Sequence, residues 1–341
     1  MRRAHLPFLL LTLFVAIPIP IAEAASGSTL EAIRKRGSVA CAIHPGQTGM
    51  SFLTEDGEWS GFFVDYCRAL AAAVFGDPTR VRFLPTSSNK RFTVLQTGEV
   101  DVLSRTTTLT YTRDTGLGLN FTGILYYDGQ SFLVRKELKI RDARSLANAT
   151  ICITKGTTGE LNTADYFARN RLPFRPLVFE NPEEARVAFF ARRCDALTTD
   201  ALTLTVIRLT DAERPNDFEV IGDFISKEPL GPAVRSDDDQ WFDLNKWLLN
   251  ALIAAEEFGI TSQNARELRD RSPNPEIRRL LGGQPGIGAP LGLDDAWALR
   301  AIVAVGNYGQ LFERHLRPLG VERGLNRLAT DGGLLYAMPF R

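Results

Sequence analysis

Short apolar segments alternate with amphipathic ones along most of the chain. Runs rich in β-branched and aromatic residues predict strands, and apolar residues spaced three or four apart predict helices between them. The predicted strand and helix pairs of the first half are 39–43 with 64–75, 81–84 with 90–96, and 100–103 with the turn at Arg113. Those of the second half are 150–154 with 160–169, 177–180 with 182–191, and 195–198 with 201–209. This alternation is typical of parallel strands joined by crossover helices, so we predict two successive α/β units.

Further segments connect and follow these units. Residues 131–135 form an apolar, strand-like run placed to cross from the first unit to the second, and residues 228–235 predict a return crossing. Residues 239–258 predict a long amphipathic helix. The Gly-rich and Pro-rich stretch 282–290 predicts a loop, and residues 294–316 predict another long helix.

The first 24 residues predict a secretory signal peptide. Two arginines follow the initiator methionine, residues 6–21 are apolar, and Ala22 and Ala24 supply small residues for cleavage. The apolar stretch is broken by prolines and is shorter than the roughly 20 residues of a membrane-spanning helix. We therefore expect a mature protein that begins near Ala25 and is soluble in the periplasm.

Length and charge narrow the range of functions. The chain has 341 residues, which exceeds the usual single-domain size of about 100 to 200 residues and predicts two lobes. Its 40 Lys and Arg balance 40 Asp and Glu, so no overall field favours nucleic acid. Outside the predicted signal peptide the histidines are His44 and His315, and neither has metal-ligand spacing around it. We find no phosphate-binding or dinucleotide-binding glycine motif. We expect no metal, no cofactor and no nucleic-acid partner, and we expect a monomer.

Four cysteines in a chain with a predicted signal peptide indicate disulfides. Their order suggests that Cys41 pairs with Cys67 and that Cys152 pairs with Cys194, with one bridge in each α/β unit. Order alone does not establish this connectivity, and buried free thiols are the alternative.

Two polar turns carry the candidate binding chemistry. Residues 101–114 end an apolar run in several hydroxyl side chains followed by Arg113, whose guanidinium can hold both oxygens of a carboxylate. Residues 151–160 similarly open into a small polar turn. Each turn has a simpler interpretation, since Arg113 could be a solvated charge and Thr157 with Glu160 has capping-box spacing. Together they predict one ligand held from two sides.

Eight segments spread over the mature chain share a recognisable pattern. They are 61–77, 101–107, 126–130, 156–158, 193–200, 225–235, 274–281 and 305–308. In these segments the chain resembles the polar amino-acid family of periplasmic solute-binding proteins that serve ABC importers, and within it the general L-amino-acid-binding proteins. The resemblance extends over essentially the whole mature chain.

The resemblance implies an α/β fold with two lobes, the type II periplasmic binding protein fold, in which a two-segment hinge joins the lobes and the ligand binds in the cleft. After the signal peptide at 1–24, we assign 25–133 to the first part of lobe 1 and 134–229 to lobe 2. Residues 230–341 then form the second part of lobe 1 with an added helical C-terminal region.

The resemblance also implies how a ligand's α-carboxylate is held. Arg113 would grip it from the first lobe, together with the backbone around Thr106 and Thr108. Thr157 and Thr158 would approach the same carboxylate from the second lobe.

Two further features of the site follow from the resemblance, each with an alternative. Asp200 would take the α-ammonium group, although it could instead cap the helix that starts after it. Met50, Phe52 and Trp59 lie in the loop that covers the ligand side chain in this family, although a role in the apolar core is the alternative. The family pattern has asparagine at the position of Thr106, so the side-chain pocket should differ here.

Three other acids within the shared segments are predicted to be structural. Asp65 opens the first crossover helix, and Asp101 and Asp195 stand at corresponding strand starts in the two units. We therefore do not include them among the ligand-binding residues.

The function implied is binding of L-amino acids, with broad or polar specificity, and their delivery to the membrane permease subunits of an ABC importer. No catalysis is expected. Cyclohexadienyl dehydratases have a similar fold, so an enzyme of that kind is the alternative, and a ligand-sensing subunit of a receptor is another.

Overall fold

The computed structural model of the protein describes residues 28–341, and the predicted signal peptide lies outside the described residues. The helices are α1 (Thr29–Arg36), α2 (Phe62–Phe75), α3 (Arg91–Gln96), α4 (Tyr111–Gly116), α5 (Thr158–Arg169), α6 (Pro182–Phe190), α7 (Ala201–Thr210), α8 (Asp239–Glu257), α9 (Ala265–Arg271), α10 (Pro275–Leu280), α11 (Trp297–Val305) and α12 (Tyr308–His315). The strands are β1 (Val39–Ile43), β2 (Phe52–Leu53), β3 (Trp59–Ser60), β4 (Val81–Pro85), β5 (Val102–Leu103), β6 (Leu119–Phe121), β7 (Tyr126–Asp128), β8 (Gln130–Arg135), β9 (Thr150–Thr154), β10 (Arg175–Phe179), β11 (Ala196–Asp200), β12 (Phe218–Val220), β13 (Glu228–Leu230) and β14 (Ala233–Arg235).

The first sheet has the strand order β4, β1, β5, β14, β6. β1 pairs in parallel with β4 and β5, whereas β14 runs antiparallel to β5 and β6. The strands predicted at 39–43, 81–84 and 100–103, and the helices between them, are confirmed. α2 has apolar residues on nearly all sides rather than on one face. It can therefore pack against neighbours all round, and almost all of its residues are buried.

The second sheet has the strand order β10, β9, β11, β8, β12. β9 pairs in parallel with β10 and β11, as the repeated strand and helix pattern predicted. The apolar run predicted as a crossing segment is β8, which lies within this sheet antiparallel to β11. All six residues of β8 are buried, so its apolar character reflects a central strand position.

β7 and β13 form a two-stranded antiparallel ribbon, in which Asp128 faces Glu228 and Tyr126 faces Leu230, and we propose that this ribbon is the hinge. The predicted return crossing is therefore confirmed. The boundaries expected after residues 133 and 229 both fall inside strands, β8 and β13 respectively. We propose that the lobes meet at this ribbon, with the first sheet and the C-terminal helices in lobe 1 and the second sheet in lobe 2.

The single helix predicted over 294–316 is wrong, because the structure has two helices, α11 and α12, in that stretch. Gly306 ends α11 with φ 91°, where an added Cβ would lie 2.8 Å from the Gln310 side chain. Asn307 then caps α12 in a reciprocal capping box with Gln310. A periodic apolar pattern continues across this break, which is why periodicity alone missed it.

The C-terminal helices pack against α2 in lobe 1. Asp65 on α2 is buried, and its Oδ2 lies 2.7 Å from both Arg314 Nη1 and His315 Nε2 of α12. These contacts fit the structural role predicted for Asp65. Among residues 28–341, no helix has the length and apolar character required to span a membrane.

Each lobe contains one disulfide, in the predicted pairing. Cys41 of β1 is bonded to Cys67 of α2, and Cys152 of β9 is bonded to Cys194, with Cα separations of 6.3 and 5.7 Å. Both bridges tie a central parallel strand to an adjacent segment of its own lobe.

Candidate ligand-binding site between the lobes

The loops that follow the parallel strands of both sheets face one cavity between the lobes. In open α/β sheets, ligands bind outside the carboxyl ends of the strands, and here two such edges face each other. The cavity contains about 720 Å³ of empty space, part of it continuous with solvent. Six of the predicted ligand-binding residues line it, namely Thr106, Thr108, Arg113, Thr157, Thr158 and Asp200.

The structure does not bring the predicted Met50 to this cavity. Met50 is fully buried in the apolar core of lobe 1, so its alternative interpretation as a core residue fits the structure. Phe52 lines a neighbouring cleft that shares His44 and Arg105 with the cavity. Trp59 is partly buried against the core of lobe 1.

Arg113 projects into the cavity from α4. Its Nη1 donates to the carbonyl of Thr108 at 2.9 Å, and its guanidinium carbon lies 5.3 Å from the centroid of the Phe92 ring. Burial lowers the pKa of Arg113, and the nearby carboxylates of Glu228 and Asp200 oppose that effect. The side chain forms no salt bridge within the described residues, so most of its donors remain available to an anion.

Two further arginines line the cavity, and sequence reasoning missed both. Arg91 is 3% exposed and donates to the carbonyl of Ser88, and Arg105 is 2% exposed and donates to Thr86 and Ser88. Burial lowers the pKa of Arg105 to about 10 and holds the pKa of Arg91 well below its ordinary value. Within residues 28–341 neither forms a salt bridge, so each guanidinium is buried without a paired carboxylate.

Asp200 ends β11 at the N-cap position of α7, yet its side chain does not cap that helix. The hinge residue Asp128 takes this role, because its Oδ2 accepts from the backbone N–H of Leu202 at 3.0 Å. In the part of the chain that the structure describes, the Asp200 carboxylate accepts no hydrogen bond. Burial, followed by the charges of Glu228 and Asp128, raises the pKa of Asp200 well above its ordinary value. The capping interpretation of Asp200 therefore does not match the geometry.

Glu228 is a buried acid in the hinge that sequence reasoning also missed. Its Oε2 accepts hydrogen bonds from the hydroxyls of Thr108 and, at 2.9 Å, Thr158. Its Oε1 accepts from Asn162 at 2.6 Å and from Ser226 at 2.7 Å. The only sequence signal was an acidic residue at the start of the predicted return crossing.

The N-terminus of α5 opens towards the cavity without a side-chain cap. The Thr157 hydroxyl donates to the carbonyl of Thr154 at 2.7 Å, and Glu160 accepts from the N–H of Gly156 at 2.9 Å. The capping box suggested by the Thr157 and Glu160 spacing is therefore not formed. The first N–H groups of this 12-residue helix carry partial positive charge and suit an anion.

The cavity thus combines unpaired guanidinium groups and a helix N-terminus with carboxylates. Two carboxylates line it, those of Asp200 and Glu228, and Asp128 lies next to them across the hinge ribbon. Over residues 28–341 there is no group of three or more His, Cys, Asp and Glu placed to hold a metal ion. A small molecule with both an anionic and a cationic group matches this arrangement.

Comparisons with known proteins agree with this geometry. The sequence model of the bacterial extracellular solute-binding proteins, family 3, matches residues 39–264. The chain is 51% identical over 325 residues to the general L-amino acid-binding periplasmic protein AapJ of Rhizobium johnstonii, covering 94% of this chain and 95% of that protein. It is 46% identical over 332 residues to the glutamate/glutamine/aspartate/asparagine-binding protein BztA of Rhodobacter capsulatus, covering 96% of this chain and 97% of that protein.

A solved structure is similar over nearly the same extent. It is an ABC transporter periplasmic binding protein from Brucella ovis with glutathione bound, and it superimposes with a TM-score of 0.89 at 48% identity. The superposition covers 92% of this chain and 99% of the other.

Proposed function

This chain belongs to family 3 of the bacterial extracellular solute-binding proteins, and on that premise we propose that it binds free L-amino acids in the periplasm and delivers them to the permease of an ABC importer. One observation carries this proposal. Arg113 of lobe 1 and Asp200 of lobe 2 face the same cavity, and neither forms a salt bridge within the described residues. A zwitterion that joins an α-carboxylate to an α-ammonium group supplies the missing partner of each.

The α-carboxylate would lie between the two lobes. Arg113 offers paired N–H donors from lobe 1, supported by the backbone around Thr106 and Thr108, and the uncapped start of α5 at Thr157 and Thr158 offers backbone donors from lobe 2. Because the two sets of donors belong to different lobes, the ligand stabilises the form in which the lobes are closed around it.

The α-ammonium would lie against Asp200. Asp200 is half-buried, and its pKa is raised by desolvation and by other acids, so its carboxylate gains a compensating cation when the ligand binds. The recognised groups are common to all amino acids, which supports broad specificity.

The side-chain end of the ligand would meet Arg91 and Arg105. Both guanidinium groups are buried, and among residues 28–341 both have only carbonyl and hydroxyl partners. Side chains with a carboxylate or carboxamide supply acceptors for these donors, whereas apolar side chains do not. We therefore propose that glutamate, glutamine, aspartate and asparagine bind more tightly than aliphatic amino acids. The relative named for these four amino acids, BztA, supports this order.

We propose that the mature protein is a periplasmic monomer, that it works without catalysing a reaction, and that the closed form docks on the permease. The two relatives described above are named as amino-acid-binding proteins, and one of them as periplasmic. Incubation of the purified protein with prephenate or arogenate should yield no aromatic product, and turnover would favour the dehydratase alternative.

The central experiment is identification of the ligand. The mature chain from about Ala25 would be purified from the periplasm, denatured, and its released small molecules identified by mass spectrometry. Calorimetric titration of the unfolded and refolded protein with the 20 L-amino acids and with glutathione would then rank the affinities. We expect at least one L-amino acid to bind with a stoichiometry of one. Absence of heat and of any melting shift for all 20 would contradict the proposed function.

A further inference from the structure

The strand β7 of the proposed hinge is bound on its outer edge by a side chain from the C-terminal region. β13 occupies one edge of β7. On the other edge, the N–H of Tyr127 donates to Asn326 Oδ1 at 2.7 Å, and the carbonyl of Tyr127 accepts from Asn326 Nδ2 at 2.9 Å. Just before the strand, the carbonyl of Leu125 accepts from the hydroxyl of Tyr308 in α12 at 2.8 Å. One carboxamide thus takes the place of a neighbouring strand along this edge.

Asn326 is itself held rigidly. It is 2% exposed and ends the short 3₁₀ turn Gly324–Asn326. Arg323 donates from Nε to the Asn326 carbonyl at 2.8 Å, and its guanidinium forms a bidentate pair with Glu256 of α8 at 2.9 and 3.1 Å. Arg323 and Asn326 therefore form a brace that attaches β7 to the helices of lobe 1.

The next residue along the chain is bound to the other lobe. Asp128 accepts through Oδ2 from the backbone N–H of Leu202 in α7 at 3.0 Å. The chain then enters β8, where Gln130 faces Asp200 in the second sheet. Attachment to lobe 1 thus ends at Tyr127, and attachment to lobe 2 begins at Asp128.

The return segment changes lobes less abruptly. The N–H of Ile225 donates to the carbonyl of Gln130 in lobe 2 at 2.9 Å, whereas the carbonyl of Pro229 accepts from the N–H of Leu109 in lobe 1 at 2.8 Å. The transition therefore extends over residues 226–228, and the first crossing is the more sharply defined of the two.

We infer that Asn326 is a positioning residue for closure, because it fixes the first crossing so that the lobes turn at the junction of Tyr127 and Asp128 rather than anywhere along β7. The inference rests on the proposed hinge and goes beyond the proposed ligand binding. A fixed crossing leaves the ligand-free protein fewer lobe orientations to lose when it closes. The brace should therefore make closure around a ligand more favourable.

Hydrogen exchange resolved to single amides locates the turning point. In the wild type, saturating L-glutamate should slow exchange at residues 129–131 and 225–228 and leave Tyr126 and Tyr127 unchanged. In Asn326→Leu without ligand, the Tyr127 amide has lost its acceptor and should exchange at least about tenfold faster. L-glutamate should now slow exchange at Tyr126 and Tyr127 as well, and its affinity should fall by about 2- to 10-fold.

Two matched variants separate the brace from a general loss of stability. Asn326→Asp keeps the size of the side chain and an acceptor for the Tyr127 N–H but removes the donor to its carbonyl, so it should change the same readouts in the same direction by less. Leu325→Ala alters a side chain that is 45% exposed in the same turn, and it should behave as the wild type.

A second measurement needs no ligand. Spin labels on Glu55→Cys in lobe 1 and Glu184→Cys in lobe 2, both at exposed positions, report the separation of the lobes by pulsed electron paramagnetic resonance. Asn326→Leu should broaden the distribution of distances in the ligand-free protein, and Leu325→Ala should not. An unchanged distribution, or faster exchange spread evenly over lobe 1, would overturn the inference. A wild-type protein that bound no amino acid would contradict the proposed function, and the ligand-free distances would still decide the role of Asn326.

Discussion

Gln47 of lobe 1 donates its side-chain amide to the hydroxyl of Thr203 of lobe 2, with 2.6 Å between Nε2 and Oγ1. The two residues are 156 positions apart in the chain and meet at the rim of the cavity. Because the bond spans the cleft, it exists only when the lobes are closed. We predict that Gln47→Ala weakens amino-acid binding by about 2- to 12-fold, mainly through faster dissociation measured by stopped flow.

A double-mutant cycle separates this bond from other effects of the substitution. Thr203→Ala should give a similar loss, and the double variant should lose little more than either single variant. If the two losses simply added, the bond would not contribute to closure.

Arg113 is the side chain on which carboxylate binding most depends. Arg113→Ala should weaken amino-acid binding by about 2 to 5 kcal/mol, or about 30-fold to several thousand-fold, because a buried charge-assisted pair is lost. Calorimetric titration measures this directly. Arg192→Ala is a suitable control because that side chain is 66% exposed and does not line the cavity. An unchanged titration for Arg113→Ala would remove this residue from the site.

The raised pKa of Asp200 predicts that affinity falls in acid. Burial and the charges of Glu228 and Asp128 raise this pKa, and the charges of Arg113 and Arg91 oppose the effect. Burial also raises the pKa of Asp128 to about 7. An ammonium ligand favours ionised Asp200, so binding below the raised pKa releases a proton, and affinity should fall by up to about tenfold per pH unit.

Calorimetry in buffers of different ionisation enthalpy measures this proton release. Asp200→Asn should bind more weakly at neutral pH and should lose most of the pH dependence that the wild type shows. A wild-type affinity that stayed constant from about pH 4 to pH 8 would exclude a titrating Asp200 from the ligand contact.

Each disulfide should stabilise its own lobe without changing the affinity for the ligand. The Cys152–Cys194 bridge joins residues 42 positions apart, and the loop-entropy relation gives about 3 to 4 kcal/mol for a loop of that length. Replacing Cys152 and Cys194 by alanine should lower the free energy of unfolding, measured in urea, by about that amount. Amino-acid affinity should be retained at temperatures well below the melting point, because neither cysteine lines the cavity. Unchanged stability in non-reducing buffer would contradict the bridge.

The strand and helix pattern predicted most of the fold because strands buried on both faces appear as short continuous apolar runs, whereas the helices between them have apolar residues three or four positions apart. Local sequence records both patterns directly. Structural acids were predictable for a similar reason. Asp101 and Asp195 stand at strand starts, and each accepts the backbone N–H of a neighbouring strand at 2.7 Å, from Ala40 and Thr150 respectively. Their role follows from a local position that recurs in both lobes.

The site residues that sequence reasoning missed are brought to the cavity by the tertiary fold, which local sequence does not record. Arg91 lies on a short helix and Glu228 in a hinge strand, and nothing in their immediate neighbours marks either as buried. They become site residues because two distant segments meet. Met50 is the opposite case, because it was predicted to contact the ligand and is instead buried in the core. An apolar residue in a loop beside the cleft has the same local sequence pattern in both situations.

Selectivity for the ligand side chain should depend on Arg91. Its guanidinium is buried, lies 4.5 Å from the centroid of the Phe92 ring, and has only the carbonyl of Ser88 as a described hydrogen-bond partner. Arg91→Met keeps comparable bulk and removes the charge. We expect the variant to bind L-glutamate and L-glutamine about 10- to 100-fold more weakly, because hydrogen bonds from a charged donor contribute about 1.5 to 3 kcal/mol.

L-alanine is the internal control, because it shares the α-carboxylate and α-ammonium but offers no side-chain acceptor. Its affinity should change less than about threefold in Arg91→Met, and Arg214→Met, whose side chain is 80% exposed, should leave all three ligands unaffected. A uniform loss for the three ligands would mean that Arg91 supports the shape of the cavity rather than contacting the side chain. Because the three ligands differ only beyond the α-carbon, the ratio of their affinities isolates the contribution of Arg91 from any general loss of stability.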